Sequence, residues 1–393
     1  MPGSVPDLDV LVINAGSSSL KVSRRPLGHA VTVERIGPAA TWRGDADLPP
    51  APPMHDHASA LHAVLQVLGE RASLAGVVAV GHRVVHGGER YAAPVRIDDA
   101  VVADVRALVH LAPLHNPANV AALEAAREQL PAVPHVAVFD TAFHASLAPK
   151  SYRYAVPESW YVDHGVRRYG FHGPSHDGVT RRAAAMLGRA RDTLRIVSLH
   201  LGNGASAAAV DRGRSVETSM GFTPLDGLVM GTRPGQIDPG VLLHMLRGGM
   251  AASELERLLN HESGLKGLSG GRSNDVRDLR AAEASGDEAA ALALDVFAYR
   301  VRTALGACVF AMGGVDAIVF TGGIGEHDAA TRAAALGGLE RLGIVLDDAR
   351  NARHGPRISR DDSTVAVLVV ATDEDGVIAD ATRALVVASE SAP

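Results

Sequence analysis

Long apolar runs, paired cysteines and clusters of basic residues are all missing from this 393-residue chain. No stretch of about 18 uncharged apolar residues occurs, so no membrane-spanning helix is expected. The opening "MPGSVPDLDV" has no basic segment leading into a hydrophobic one, so no secretory leader is expected either. Cys308 is the only cysteine, which excludes an intramolecular disulfide, argues against a thiolate metal site and fits a reducing cytoplasm. The net charge of -6 is spread along the chain without a Lys/Arg run, so no nucleic-acid surface is expected and an anionic ligand needs a local site. No His/Cys cluster with zinc spacing is present, and the absence of any Gly-Lys pair argues against a P-loop nucleotide site. Lysine is scarce: Lys21, Lys150 and Lys266 are the only three among 38 basic residues.

What is present reads as a soluble α/β protein, with 47% apolar and 21% charged residues. At this length two domains are the default. Apolar runs of four to six residues recur at "VLVIN", "VVAVGHRVVHGG", "HVAVFD", "RIVSLHLGNG", "DAIVFTGGIG" and "VAVLVV". Ala-rich segments with helical spacing lie between them, at 58–72, 100–110, 118–130, 178–190 and 288–312. Strands alternating with helices predict largely parallel sheets. Residues 38–57 read as an irregular connection, the Tyr-rich stretch 149–165 as a domain junction, and the last eighteen residues as a helix returning to the first domain.

The stretches "VLVINAGSSSLKV" and "RIVSLHLGNGASAAAV" are each a strand, an Asn/Gly turn and a second strand, about half the chain apart, which predicts a duplicated domain. Strand alternation puts Ser17, Ser19 and Lys21 on one face, two hydroxyls and an ammonium suited to phosphate oxygens, with Ser18 opposite as a structural residue. In the second turn Gly202 and Gly204 bracket Asn203 and leave backbone N–H groups open to a ligand, although a plain Asn-Gly hairpin has the same signature. In "FTGGIGEHDAATRAAAL" a strand runs through Gly322, Gly323 and Gly325 into a helix, where a nucleotide can approach the backbone at the strand's C-terminal edge.

In this order "NAGSSSLK", "GHRVVHGGE", "APLHNP", "VFDTAFH", "YGFHGPSH", "HLGNGAS", "GFTPLDGLVMGTR", "IDPG" and "FTGGIGEH" resemble the acetate kinase family over residues 9 to about 380. That family belongs to a superfamily with sugar kinases, heat-shock 70 ATPases and actin. The resemblance implies duplicated ribonuclease-H-like domains of the actin-like ATPase type with the nucleotide in the cleft between them. It places the first domain at 1–150 plus about 376–393 and the second at 151–375. It implies Mg²⁺-dependent phosphoryl transfer between ATP and acetate, giving ADP and acetyl phosphate, with Mn²⁺ as a substitute metal and a cytoplasmic homodimer as the working form.

Carried onto this chain, the resemblance implies that Asn14 and Glu374 hold or orient Mg²⁺ and that Ser17, Ser19 and Lys21 lie near the phosphates. Nucleotide contacts are implied from His200, Leu201, Gly202, Asn203 and Gly204, from Asp275, Val276 and Arg277, and from Gly323, Ile324, Gly325, Glu326 and His327. Arg83, Arg233, His172, Asp140 and His115 are implied around the transferring phosphoryl group. Val85, Leu114, Phe171 and Pro224 are implied as the apolar pocket for the acyl group.

The chemistry suits these residue types. Phosphoryl transfer needs positioning and charge neutralisation more than covalent catalysis, and a guanidinium meets a carboxylate or phosphoryl group with two parallel hydrogen bonds. Each arginine alone also reads as a structural ion pair. His172, after an aromatic residue and before a glycine, is placed to donate into a cavity, while His82, His86, His144 and His200 also read as packing residues among 18 histidines. Asp140 ends an apolar run, at the strand edge where functional carboxylates lie. A carboxylate substrate with a pKa of about 4–5 is ionised at neutral pH and needs no base, so Asp140 is expected to orient an arginine or reach Mg²⁺ through water. Which of Asp373, Glu374 and Asp375 faces the metal stays open at this level.

Pro234, Gln236, Arg272, Asn274 and His327 depart from the family's usual residues. Two other readings remain: a kinase for propionate or another short-chain acid, because one methylene changes discrimination by only ~1–3 kcal/mol, and a non-catalytic nucleotide switch.

Overall fold

The computed structural model describes residues 8–44, 48–72 and 74–390. The chain divides into two compact units: Met1–Phe143 with Asp373–Pro393, and His144–Thr372. The stretch 149–165 therefore lies inside the second unit, not at a junction; it holds two short helices, Pro149–Tyr152 and Glu158–His164.

The first unit carries seven strands: β1 (Val10–Ala15), β2 (Ser19–Arg25), β3 (Ala30–Glu34), β4 (Thr41–Gly44), β5 (Ala79–Val84), β6 (Val95–Arg96) and β7 (His135–Phe139). Their order across the sheet is β4-β3-β2-β1-β5-β7-β6, with β1, β5 and β7 parallel and β2 and β3 antiparallel additions. β4 falls within the segment read as irregular. Its middle pair, Trp42 and Arg43, keeps no run of apolar residues, so the strand left no periodic signal.

β1 reads as one apolar run because both its faces are covered. Leu11 and Ile13 pack with Leu61 and Val64 of the helix His57–Ala72, while Val10 and Val12 pack with Ile378 and Ala379 of the helix Glu374–Glu390. Each such side chain, fully withdrawn from water, stabilises the unit by roughly 1.5–3 kcal/mol. The C-terminal helix thus completes the first unit, and its N-terminus stands beside β2 and β5.

The second unit holds β8 (Arg195–Leu201), β9 (Ala205–Asp211), β10 (Arg214–Thr218), β11 (Ala317–Thr321) and β12 (Ala366–Val369), in the order β10-β9-β8-β11-β12. β8, β11 and β12 are parallel, and β9 and β10 are antiparallel additions. Without β4 and β6, the first sheet reads β3-β2-β1-β5-β7: a three-stranded meander whose first strand is extended by two parallel strands. Both units share that topology, so the repeat legible in the two Asn/Gly turns extends to whole sheets. The helix Gly173–Met186 covers one face of the second sheet through Val179 and Ala183, and the helix Glu288–Met312 packs on β8, β9 and β10. Among the described residues no helix is long and apolar enough to cross a membrane.

Candidate functional site

In the first unit the C-terminal ends of β1, β5 and β7 bring Asn14, Arg83 and Asp140 together. Asn14 and Arg83 are direct partners in the β1–β5 register, and the Asp140 N–H donates to the Val84 carbonyl at 2.9 Å. Arg83 donates to both oxygens of the buried Asp140, Nε to Oδ1 at 2.8 Å and Nη2 to Oδ2 at 2.6 Å. Its remaining nitrogen, Nη1, donates to Asn14 Oδ1 at 3.2 Å and lies 3.9 Å from Glu374 Oε2. Burial works against the Arg83 charge, but Asp140 and then Glu374 outweigh it and raise the guanidinium above its ordinary range.

The three acids at the start of the C-terminal helix take different partners. Asp373 accepts from Arg25 at 2.8 Å; the buried Asp375 accepts from Ser23 Oγ at 2.9 Å and pairs with Lys21 Nζ at 2.8 Å. Glu374 is the one that approaches Arg83 Nη1, the nitrogen that also meets Asn14 Oδ1. Asn14 Oδ1 and the Glu374 carboxylate are hard oxygen donors close to one nitrogen, a donor set that suits Mg²⁺. Among the described residues no group of three His, Cys, Asp or Glu side chains is arranged to hold a metal.

The turn before β2 departs from the expected strand. Ser17 and Ser18 are both exposed in a bend closed by Gly16 N–H donating to the Ser19 carbonyl at 2.8 Å, so only Ser19 and Lys21 share a strand face. Gly16 gives the chain room to turn here, which ends β1 two residues before Ser17. The Ser18 carbonyl accepts from Ile36 N–H at 3.0 Å, while its side chain faces water.

Three supporting residues escaped sequence reading. His57 Nε2 donates to the Gly16 carbonyl at 2.7 Å. Asn119 accepts from Val85 N–H at 2.9 Å and donates to the Ala15 carbonyl at 2.7 Å, tying the ends of β5 and β1, and Asn116 accepts from His86 N–H at 3.2 Å. The pair of asparagines one helical turn apart in "HNPAN" was the available signal. His115 caps that helix, Asn116–Gln129, and is partly exposed; Leu114 is 39% exposed, whereas Val85 is buried.

In the second unit the hairpin between β8 and β9 is the centre. Gly231 N–H donates to the Asn203 carbonyl at 2.9 Å, and Asn274 Nδ2 donates to Asn203 Oδ1 at 2.8 Å. A Cβ placed on Gly204 would stand 2.9 Å from Arg233 Nη2 and 3.4 Å from His172 Nε2, so this glycine keeps open a space bordered by a cation and an imidazole. Arg233 donates from Nη1 to the Pro224 carbonyl at 2.9 Å. It has no carboxylate partner among the described residues, and burial alone pushes its guanidinium below the ordinary value. His172 caps the helix Gly173–Met186 in the left-handed conformation, φ 57°, and its Nδ1 lies 2.9 Å from Ser206 Oγ. The His172 and His200 rings stack at 4.3 Å, and His200 Nδ1 lies 2.7 Å from Ser175 Oγ. Phe171 is almost fully buried, and Leu201 is buried at the end of β8.

β11 delivers the glycine-rich turn, with Gly322 at φ 76° and the Leu201 carbonyl 2.7 Å from where a Cβ would sit. The helix Gly322–His327 contains Gly323, Ile324, Gly325, Glu326 and His327. Glu326 Oε1 accepts from Gly322 N–H at 3.0 Å and Thr372 N–H at 2.9 Å, and His327 packs edge-on to His354. Beneath it the buried Arg332 donates to the carbonyls of Gly325 and Glu326 at 2.8 and 3.0 Å. No sequence signal marked this arginine, whose partners are backbone oxygens, Asn351 Oδ1 at 2.8 Å and His354 Nδ1 at 2.9 Å, with no carboxylate among them. Asp275 caps the helix Val276–Ala284 through Arg277 N–H at 2.9 Å and pairs with the Arg277 guanidinium at 2.6 Å; Val276 is buried beneath. Arg272 pairs with Asp287.

Residues 9–380 match the Acetokinase family. The chain belongs to that family. It is 49% identical over 391 residues to the acetate kinase of Deinococcus deserti, covering 96% of this chain and 98% of that one. The crystal structure of Porphyromonas gingivalis acetate kinase superposes with a TM-score of 0.91 at 41% identity, over 96% of this chain and all of that one. A propionate kinase from Francisella tularensis superposes with the same TM-score at 35% identity, over 96% and 99% of the two chains. The fold is the two-domain actin-like ATPase fold of these kinases, and the chain is a kinase.

Proposed function

We propose that the chain catalyses reversible, Mg²⁺-dependent phosphoryl transfer between ATP and acetate, giving acetyl phosphate and ADP. The observation that carries this reading is Arg233: a partly buried cation without a carboxylate partner among the described residues, beside the space that Gly204 leaves open. Such a cation awaits an anion, and a γ-phosphoryl group fits. A carboxylate oxygen of acetate attacks the γ-phosphorus; the bond to the β,γ-bridging oxygen breaks and its electron pair leaves with ADP. Acetate is already ionised near neutral pH, so no base is required. Asp140 then serves to aim Arg83, whose Nη1 edge faces Asn14 and Glu374 and is the edge available to substrate. His172 donates toward the equatorial oxygens. His115 is assigned the same supporting role. Ser17, Ser19, Lys21 and the residues of the Gly202–Gly204 hairpin take the phosphates, Gly323–His327 and Asp275–Arg277 take the nucleoside, and Val85, Leu114, Phe171 and Pro224 take the acyl methyl group.

Asn14 and Glu374 would hold Mg²⁺, or Mn²⁺ in its place, which supplies neutralisation of phosphate charge. Trapping the product with hydroxylamine tests the reading: hydroxamate must depend on ATP, on a divalent metal and on acetate together, and its absence overturns the kinase function in favour of a nucleotide switch. The likeness to a propionate kinase and the modest size of Val85 favour a second reading, a short-chain acyl kinase of wider range. Comparing kcat/KM for acetate, propionate and butyrate in the same assay separates the two.

A homodimer in the cytoplasm completes the proposal. The helices Pro239–Arg247 and Ala252–His261 carry no buried residue and expose Val241, Leu243 and Leu246. This exposed apolar face is the surface proposed to meet a second copy; Glu254 is already paired with Arg257 at 3.0 Å in its own helix. Light scattering tests this, a monomer being the contrary result.

A further inference from the structure

Behind His172 runs a chain of buried side chains that the proposed phosphoryl transfer does not itself use. His172 Nδ1 lies 2.9 Å from Ser206 Oγ; Ser206 Oγ lies 2.8 Å from His176 Nε2; His176 Nδ1 lies 2.9 Å from Ser198 Oγ. Ser206, His176 and Ser198 have no exposed surface. The spacing follows from the local structure. His172 and His176 are one helical turn apart, and Ser198 and Ser206 sit on the paired strands β8 and β9 beneath that helix.

The direction of the proton chain can be worked out from its closed end. Ser198 has His176 Nδ1 as its hydrogen-bond partner and no other side-chain partner among the described residues. A buried hydroxyl proton left without an acceptor costs about 1–3 kcal/mol, so Ser198 donates to Nδ1. Burial, followed by the nearby His144 and His200, pushes His176 well below the ordinary histidine value and keeps it neutral. Its single proton is therefore on Nε2 and is donated to Ser206. Ser206 in turn donates to His172 Nδ1. Neutral His172 is left with its proton on Nε2, the nitrogen that borders the open space at Gly204 beside Arg233.

We propose that Ser198, His176 and Ser206 form a one-way hydrogen-bond relay that holds His172 in the tautomer protonated on Nε2, so that it is a fixed donor toward the transferring phosphoryl group. Ser198, His176 and Ser206 are positioning residues, which act only through His172. The target of the donor rests on the phosphotransferase reading; the tautomer does not. Without the relay the opposite tautomer would present a lone pair to an anion and repel it. The stack of His172 on His200 limits ring tilt but is blind to which nitrogen carries the proton, whereas the Ser206 hydroxyl at Nδ1 is not.

The test uses the full chain labelled with ¹⁵N-histidine and long-range ¹H–¹⁵N correlation spectra, with the His172 signals assigned from their loss in His172→Gln. The expected result is an Nε2-protonated His172 in the parent and a mixture of tautomers in Ser206→Ala. In the same variant kcat falls about 10- to 100-fold, part of the loss typical of removing one transition-state donor, while KM for ATP and acetate stays within about threefold. Ser206→Thr keeps the hydroxyl and restores both. An Nδ1-protonated His172 in the parent overturns the proposal, as does a Ser206→Ala protein whose spectrum or kcat matches the parent. If Ser206→Ala does not fold, Ser198→Ala removes only the remote proton donor and is judged by the same signals. A parent that makes no acyl phosphate sinks the phosphotransferase reading, while the spectra still decide the tautomer.

Discussion

Arg83 and Asp140 meet in a two-point ion pair, with parallel hydrogen bonds of 2.8 and 2.6 Å at the ends of neighbouring parallel strands. The pair leaves one guanidinium nitrogen for Asn14 and for anything bound beside it. Asp140→Asn keeps the shape but removes the charge that balances a largely buried cation. Breaking such a pair costs about 3–5 kcal/mol of stability. We expect a loss near the lower end, because Glu374 remains 3.9 Å away, and a fall in kcat/KM for acetate of roughly 100-fold as Arg83 loses its aim. Denaturant unfolding and steady-state kinetics check both; near-parent turnover would remove Asp140 from the account altogether.

Gly204→Ala separates function from stability. The backbone at Gly204 is not in the left-handed region, and the one atom that a Cβ would meet too closely, Arg233 Nη2 at 2.9 Å, is the far end of a flexible side chain that can shift, so alanine should leave stability within about 1 kcal/mol of the parent. The added methyl enters the space between Arg233 and His172. Acyl phosphate formation should drop at least ~10-fold, because small displacements of an aligned site are costly. A variant equal to the parent in both respects would show that the space beside Gly204 is not where the anion binds.

Much of this organisation was legible in the sequence, and the reason is burial on both faces. β1, β7, β8 and β11 are nearly continuous apolar runs ending in polar or glycine residues, and the helix Glu288–Met312 follows the Ala-rich span 288–312. The turn at Ser17 was misplaced because strand alternation continues on paper through a bend that Gly16 allows. The relay was out of reach for another reason. Ser198, Ser206 and His176 look like ordinary small or helical residues, and only the pairing of β8 with β9 under the helix brings them into line. Arg332 was equally silent, since a cation bonded to carbonyls and to Asn351 shows no acidic partner nearby in the chain.

Buried histidines give the fold an acid limit. Burial and then His110 push His86 down to about 3 from its ordinary 6.5; burial and then His135 hold His82 well below it, and His135 and His176 are lowered too. Each is neutral when folded and takes up a proton when unfolded below pH about 6.5, so unfolding binds protons and stability falls as pH drops from there toward 3. Above pH 6.5 these groups contribute their full stabilisation. Denaturant midpoints from pH 8 to 4.5 should be level at first and then decline, with His86→Gln flattening part of the slope. A midpoint that rises on acidification would contradict the neutral assignments.

The central claim is that an acetate oxygen becomes bonded to the γ-phosphorus of ATP. The most direct measurement is ³¹P NMR of the purified chain with ATP, Mg²⁺ and ¹⁸O-labelled acetate. The account predicts an acetyl phosphate resonance carrying the isotope shift of an ¹⁸O bridge, appearing in step with ADP. ADP accompanied only by inorganic phosphate, or no turnover of ATP at all, would contradict it.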